Sequence, residues 1–178
     1  MYRIKCAEVW GGSRAIDNDV CTSGVTASVF SAAGGGAEEK QSGGDIYYFS
    51  LCSHDAVTRI ALADVVGHGA AASVVSGWLY DALLKRIEET DGDGVLGYLN
   101  RIAHERGLEA MTTAAVLTFY TENSNLYFSY AGHPPLLLQR RKNESEWREM
   151  GVNQSPNPSN LPLGILGDTT YDQNETAL

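Results

Sequence analysis

An α+β fold is expected for this chain, and three features of its apolar patterning point to it. Short strand-like runs come first, two amphipathic helix patterns follow, and a meander of further strand-like runs completes the sequence. That order, unlike a regular strand–helix alternation, indicates antiparallel strands with segregated helices. The 178 residues match one domain, since domains hold roughly 100–200 residues, and residues 1–178 are read as a single unit.

Each element has its own signal. Residues 7–10 and 25–30 are β-prone, with a break at Gly11-Gly12. Residues 31–44, rich in Gly, Ala, Glu and Lys, read as a surface loop. Residues 46–52 and 59–65 are β-branched, aromatic or aliphatic between turn-formers, and read as strands. Beyond Gly67-His68-Gly69, the apolar residues Val74, Val75, Trp78, Leu79, Ala82, Leu83 and Ile87 recur at helical spacing. This stripe is core packing rather than a cofactor pocket. Lys85 and Arg86 suit the last turn, and Asp91-Gly92-Asp93-Gly94 stops the helix. A second helix is predicted from Val95 to about Arg106, on Leu96, Leu99, Ile102 and Ala103. Strands at 114–120, 126–130, 136–140 and 147–150 then alternate with turns at 122–125, 132–135 and 143–146. A proline-rich loop at 154–163 leads into Leu163-Gly164-Ile165.

Composition narrows the function. The formal net charge is −9 and the pI is about 4.8. The longest basic run is Arg140, Arg141 and Lys142, so the stripe that tracks a phosphate backbone is missing and nucleic acid is an unexpected partner. An acidic balance suits divalent cations and also suits a solvated face. The three cysteines, Cys6, Cys21 and Cys52, have no zinc-type spacing and fit free thiols in a reducing compartment. Neither a signal-like apolar core nor a run near the roughly 20 residues that span a bilayer occurs. A cytoplasmic protein without a membrane segment is expected.

Two acidic residues have unusual settings. Asp45 follows Gly43-Gly44 at the start of a β-run, and Asp64 ends the apolar run 60–63 with Gly67-His68-Gly69 just beyond. Either is readable as a turn residue. Alternatively, if the two runs pair, both carboxylates converge at one sheet end, where hard divalent cations take oxygen ligands. His68 and His133 both flank glycine and read as turn histidines. His54-Asp55 lacks partner histidines for an HD phosphohydrolase. Ile46 and Tyr47 replace the acidic and aromatic residues of a GGDEF loop. No phosphate-cradling GxxxxGK[ST] loop is present, which argues against a nucleotide-binding signalling enzyme.

Taken in series, GGDIYYF, LADVVGHGAAAS, MTTAAVLTFY, LYFSYAGHPPLLL and LPLGI resemble the SpoIIE/RsbU-type branch of the type-2C, metal-dependent serine/threonine protein phosphatases, from about Gly43 to Ile165. The resemblance implies an αββα sandwich of two antiparallel sheets flanked by helices. It implies two Mn²⁺ or Mg²⁺ ions held by Asp45, Asp64 and the backbone carbonyl of Val65, with Asp45 and Asp64 as the catalytic pair. It also implies a phosphorylated regulatory protein as substrate, such as a STAS-type anti-anti-sigma factor, and a sensor domain elsewhere in the natural protein. The chain departs from the pattern at Tyr48, where the family commonly has Asp, and at Val66, which replaces a serine. The family's later TDG aspartate and a further metal-binding aspartate have no counterpart up to Leu178, so a truncated domain of weak activity is expected. The alternative is a pseudophosphatase that docks a partner without turnover. Arg14, Asp17 and Asp19 faintly resemble the opening of eukaryotic type-2C phosphatases, at a longer spacing, and are read as surface residues.

Overall fold

A six-stranded antiparallel sheet divides the molecule into two cores. The computed structural model describes residues 1–32, 43–52, 54–86, 91–139, 146–151 and 159–178. In chain order the strands and helices are β1 (Tyr2–Arg3), β2 (Glu8–Gly12), β3 (Ile16–Cys21), β4 (Thr26–Ser31), β5 (Asp45–Cys52), β6 (Val57–Val65), α1 (Gly69–Leu84), α2 (Gly92–His104), β7 (Thr112–Tyr120), β8 (Asn125–Ala131), β9 (Leu136–Leu138), β10 (Arg148–Met150) and β11 (Gln173–Ala177). The large sheet runs β11-β8-β7-β6-β5-β2, and separate small sheets are formed by β1-β3-β4 and by β9 with β10.

Alternation along the strands assigns the faces. Ile46 and Tyr48 of β5, Ala61, Ala63 and Val65 of β6, and Ala114 and Val116 of β7 pack with Leu79, Leu83, Leu96 and Leu99 of the two helices. The opposite face of β5 and β6 meets the three-stranded sheet, where Phe49, Leu51 and Ile60 pack with Ile4, Val20 and Val29. Along β7 and β8 that face meets the β9–β10 hairpin through Phe128, Tyr130, Leu136 and Met150. The expected sandwich of two antiparallel layers with helices is thus borne out, and both described helices lie on the outer face of the large sheet. Their mutual packing uses cation–π contacts. The guanidinium carbon of Arg106 stands 3.9 Å from the Trp78 ring centroid, and that of Arg86 stands 3.9 Å from the Tyr98 centroid.

Several boundaries differ from the sequence expectation, each for a local reason. Gly11-Gly12 ends β2 rather than breaking it. A Cβ on Gly11 would lie 2.4 Å from the Tyr47 carbonyl oxygen, so glycine permits the close approach of β2 to β5. Asp91-Gly92-Asp93-Gly94 opens α2, with Asp93 in the first turn of the helix, where the macrodipole favours an acid. The Gly92 amide donates to Gln173 Oε1 at 2.9 Å. Strands β1, β3 and β11 were not expected. β3 and β11 are largely polar, so their apolar signal is faint. Ile87, the basic run 140–142, the turn residues 143–145, most of the loop at 31–44 and the first half of the loop at 154–163 lie outside the described residues.

One buried polar residue ties the helical layer to the sheet end. Asn100 of α2 is fully buried. Its Oδ1 accepts from the Gly164 amide at 2.9 Å, and its Nδ2 donates to the Leu166 carbonyl at 2.8 Å. The same stretch pairs with the start of β7, since the Leu163 amide donates to the Thr112 carbonyl at 2.8 Å and the Thr112 amide to the Leu163 carbonyl at 3.2 Å. Replacing Asn100 by Leu strands the Gly164 amide, whereas the Leu166 carbonyl still accepts from the Thr169 amide and hydroxyl. Urea unfolding of Asn100→Leu is expected to show a loss of about 1–3 kcal/mol, the cost of one buried unsatisfied group, with the slope of the transition unchanged.

Candidate functional site

The antiparallel register places Asp45 directly opposite Asp64, and Asp64 directly opposite Thr113. Cross-strand partners share a face, so β5, β6 and β7 present these three side chains in a row. The row lies on the inner side of the sandwich, at an end where the apolar filling stops. Ser31, the last residue of β4, reaches across from the small sheet and donates from Oγ to Asp45 Oδ2 at 3.1 Å. On the far side of the row, Thr113 Oγ1 stands 3.1 Å from His133 Nδ1. Asp45, Asp64, Ser31 and His133 line one cleft of about 180 Å³, with Val29, Phe30, Ile46, Tyr47, Leu62 and Ala63 as its remaining walls.

Gly44 shapes the backbone beside the pair. The Val65 amide donates to the Gly44 carbonyl at 3.2 Å, which extends the β5–β6 ladder by one residue. A Cβ on Gly44 would lie 2.8 Å from the Val65 carbonyl oxygen and 3.4 Å from Asp64 Oδ1. Both oxygens therefore border the space that glycine leaves open. Two carboxylates and this carbonyl are hard oxygen donors of the kind that Mg²⁺ and Mn²⁺ take, and the donor set fits such a cation. Among the described residues, no group of three or more His, Cys, Asp or Glu side chains is placed to hold a metal ion.

Electrostatics mark the pair as strained in the absence of a cation. Burial pushes the Asp64 carboxyl above the usual carboxylate range, and the neighbouring Asp45 charge pushes it further, while His133 acts the other way. His133 is pushed down by burial, against an upward pull from Asp64. Like charges opposite one another on paired strands are destabilising.

The other candidates lie elsewhere. His68 occupies the N-cap position of α1 without a side-chain cap. It borders a largely apolar groove with Val66, Val74, Val75 and Arg106. His54 and Asp55 form the left-handed turn between β5 and β6, at the opposite end of those strands from the acidic pair. Arg14 lines a groove between β2 and α1. Asp17 and Asp19 are exposed on β3, where Asp19 accepts from Ser28. Tyr48 is buried on the helical face of β5 in edge-to-face contact with Tyr80, so it points away from the row. Sequence reasoning missed Ser31 and Thr113 and read His133 as a turn residue. Only the register brings these three, 102 positions apart end to end in the chain, to the aspartates.

A family model described as Stage II sporulation protein E (SpoIIE) matches residues 54–178. The match takes in Asp64, Val65, Thr113 and His133 and begins after Asp45. Among solved structures, the chain resembles the RsbU and RsbW domains of a Mycobacterium tuberculosis protein, at 25% identity and a TM-score of 0.62, covering 80% of this chain and 37% of that one. It resembles RsbX in complex with magnesium at 16% identity and a TM-score of 0.67, covering 91% of this chain and 72% of that one. A third likeness is to the PP2C phosphatase domain, with a fragment of the regulatory domain, of the cell fate determinant SpoIIE from Bacillus subtilis. The identity there is 19% and the TM-score 0.63, over 96% of this chain and 42% of that one. The chain thus spans less than half of the first and third structures. A search of curated protein sequences found no match.

The strained pair generates a test by substitution. Asp45→Asn removes one of the two facing charges and keeps an acceptor for Ser31. Without divalent cation, the variant is expected to melt at or above the temperature of the parent. With Mn²⁺ the order reverses, because a ligand stabilises only the folded state that binds it. Calorimetric melting with and without the cation reads both effects.

Proposed function

The chain belongs to the SpoIIE family, and from that premise we propose that it is a metal-dependent serine/threonine phosphatase domain acting on a phosphorylated regulatory protein. The observation that carries this reading is the pairing of Asp45 with Asp64 beside the Gly44 gap, a cluster of hard oxygens open to a cleft. The magnesium-bound RsbX structure and the PP2C domain of SpoIIE support it. Within this family setting, a STAS-type anti-anti-sigma factor is the substrate class we favour, in the cytoplasm.

In the proposed reaction, Asp45, Asp64 and the Val65 carbonyl would hold two Mn²⁺ or Mg²⁺ ions. When bound, such ions supply Lewis acidity toward a phosphoryl group and lower the pKa of a water toward neutrality. Asp45 is oriented by Ser31, whose hydroxyl occupies Oδ2. Asp64, between Asp45 and Thr113, is the central carboxylate of the row. A water attacks phosphorus in line, the bond to the seryl or threonyl oxygen breaks, and inorganic phosphate and the free hydroxyl leave. No covalent enzyme intermediate is required, in keeping with the lack of an activated Cys or Ser motif in the sequence.

Two expectations follow from the donor set. Two carboxylates and one carbonyl leave most of a coordination sphere to water, so calorimetry with Mn²⁺ should give a dissociation constant on the order of high micromolar or weaker. Tight two-site binding would point to ligands beyond these three. The protein is expected to hydrolyse p-nitrophenyl phosphate or a phosphoserine peptide only with Mn²⁺ or Mg²⁺. Asp64→Asn should lower that rate by a factor of about 10³ or more, whereas His68→Ala should cost far less. Full activity in chelator, or near-parental turnover by Asp64→Asn, contradicts the mechanism. Inactivity with every metal, combined with binding of a partner protein, favours a docking module instead.

A further inference from the structure

The cleft poses a problem of hydrogen-bond chemistry that Asp45 and Asp64 do not solve. A phosphoryl group brings only acceptor oxygens, and ionised carboxylates are acceptors too. Of the other walls, Val29, Phe30 and Leu62 are apolar, and Ile46 and Ala63 turn their side chains to the helices. The Ser31 hydroxyl donates to Asp45. The Tyr47 hydroxyl lies against the edge strand, where a Cβ on Gly12 would stand 3.3 Å from it. Among the described lining residues, His133 is the remaining side chain able to offer a donor.

Its position is built into the backbone. Gly132, at φ +62°, has the left-handed conformation that favours glycine. Its amide donates to the Asn160 carbonyl at 2.7 Å, and a Cβ there would stand 2.4 Å from Pro162 Cγ. Pro134 and Pro135 follow, and proline restricts both itself and the residue before it. A bridge from Ala114 to Gly132 holds the turn against β7. The ring itself is held through Nδ1 by Thr113 at 3.1 Å. A neutral imidazole carries one donor and one acceptor nitrogen. A Thr113 hydroxyl that donates to Nδ1 leaves the proton on Nε2.

We propose that His133 is a substrate-contacting residue of the acidic cleft, donating a hydrogen bond from Nε2 to a phosphoryl oxygen while Thr113 fixes the ring through Nδ1. This assignment rests on the phosphatase reading above and deepens it by naming the phosphoryl-binding donor. With the Thr113 hydroxyl donating to Nδ1, the ring would carry its proton on Nε2 and present no lone pair to a cation, and among the described residues it forms no three-residue metal group with the aspartates.

Calorimetric titration of inorganic phosphate into the chain in saturating Mg²⁺ tests the assignment, with Mg²⁺ binding measured separately. His133→Ala is expected to weaken phosphate binding by about ten- to a hundred-fold, as loss of a hydrogen bond to a charged group does, with Mg²⁺ affinity within about two-fold of the parent. His133→Gln, whose amide nitrogen replaces the lost donor, should recover most of the phosphate affinity. Equal phosphate affinity in parent and His133→Ala overturns the assignment. So does a parallel fall in phosphate and Mg²⁺ affinity, which would make His133 part of the cation site or of the fold. If the parent protein hydrolyses p-nitrophenyl phosphate with Mg²⁺ while His133→Ala binds phosphate unchanged, the assignment falls and the phosphatase reading stands. Absence of both metal-dependent hydrolysis and phosphate binding in the parent removes both.

Discussion

The register of β5 against β6 is the constraint on which the acidic cleft depends. A slip of one residue in a paired strand moves every side chain to the other face. Here it would turn Asp45 into the helical core and move Ile46 and Tyr48 to the inner face of the sheet. The apolar residues that alternate with the aspartates hold the register. Ile46, Tyr48, Ala61, Ala63 and Val65 are all buried against the helices, and Phe49, Leu51 and Ile60 pack against the small sheet. Burying a side chain of this size is worth about 1.5–3 kcal/mol, so the surrounding core outweighs the repulsion between two facing carboxylates. The acidic pair is unfavourable taken alone, and the sandwich around it keeps it in place.

The same constraint explains which parts of the molecule were legible in the sequence. β5, β6, β7 and β8 are apolar over most of their length because they form the middle of the large sheet, and α1 and α2 carry wide apolar faces against it. Their patterns survive without knowledge of neighbours. β3 and β11 lie in the small sheet or at the sheet edge, and much of each is exposed, which leaves residues such as Asp17, Asn18, Gln173 and Glu175 in solvent. The start of α2 was misplaced because Asp91-Gly92-Asp93-Gly94 carries a turn signal that also serves as a helix opening.

At the cleft the division is similar. Asp45 and Asp64 stand out in the sequence because each interrupts or borders an apolar run beside glycine. Ser31, Thr113 and His133 carry no such mark. Ser31 is a strand-end serine from another sheet, and Thr113 belongs to an ordinary β-branched stretch. His133 shares its Gly-His context with His68, yet His68 begins a helix beside an apolar groove and His133 is turned by Gly132 toward the aspartates. Local sequence could not separate the two histidines. The pairing of β6 with β7 does, by bringing Thr113 to the imidazole.

The central claim is that a divalent cation sits between the ends of β5 and β6. Paramagnetic broadening by Mn²⁺ of the backbone amide signals tests it most directly, because the effect falls steeply with distance and needs neither substrate nor turnover. On this account the amides of Gly44, Asp45, Asp64 and Val65 broaden first on titration, followed by those of Thr113 and Ser31, and Mg²⁺ in excess restores them. Broadening that begins at Asp17 and Asp19, at Asp91 and Asp93, or evenly over the acidic surface would contradict it.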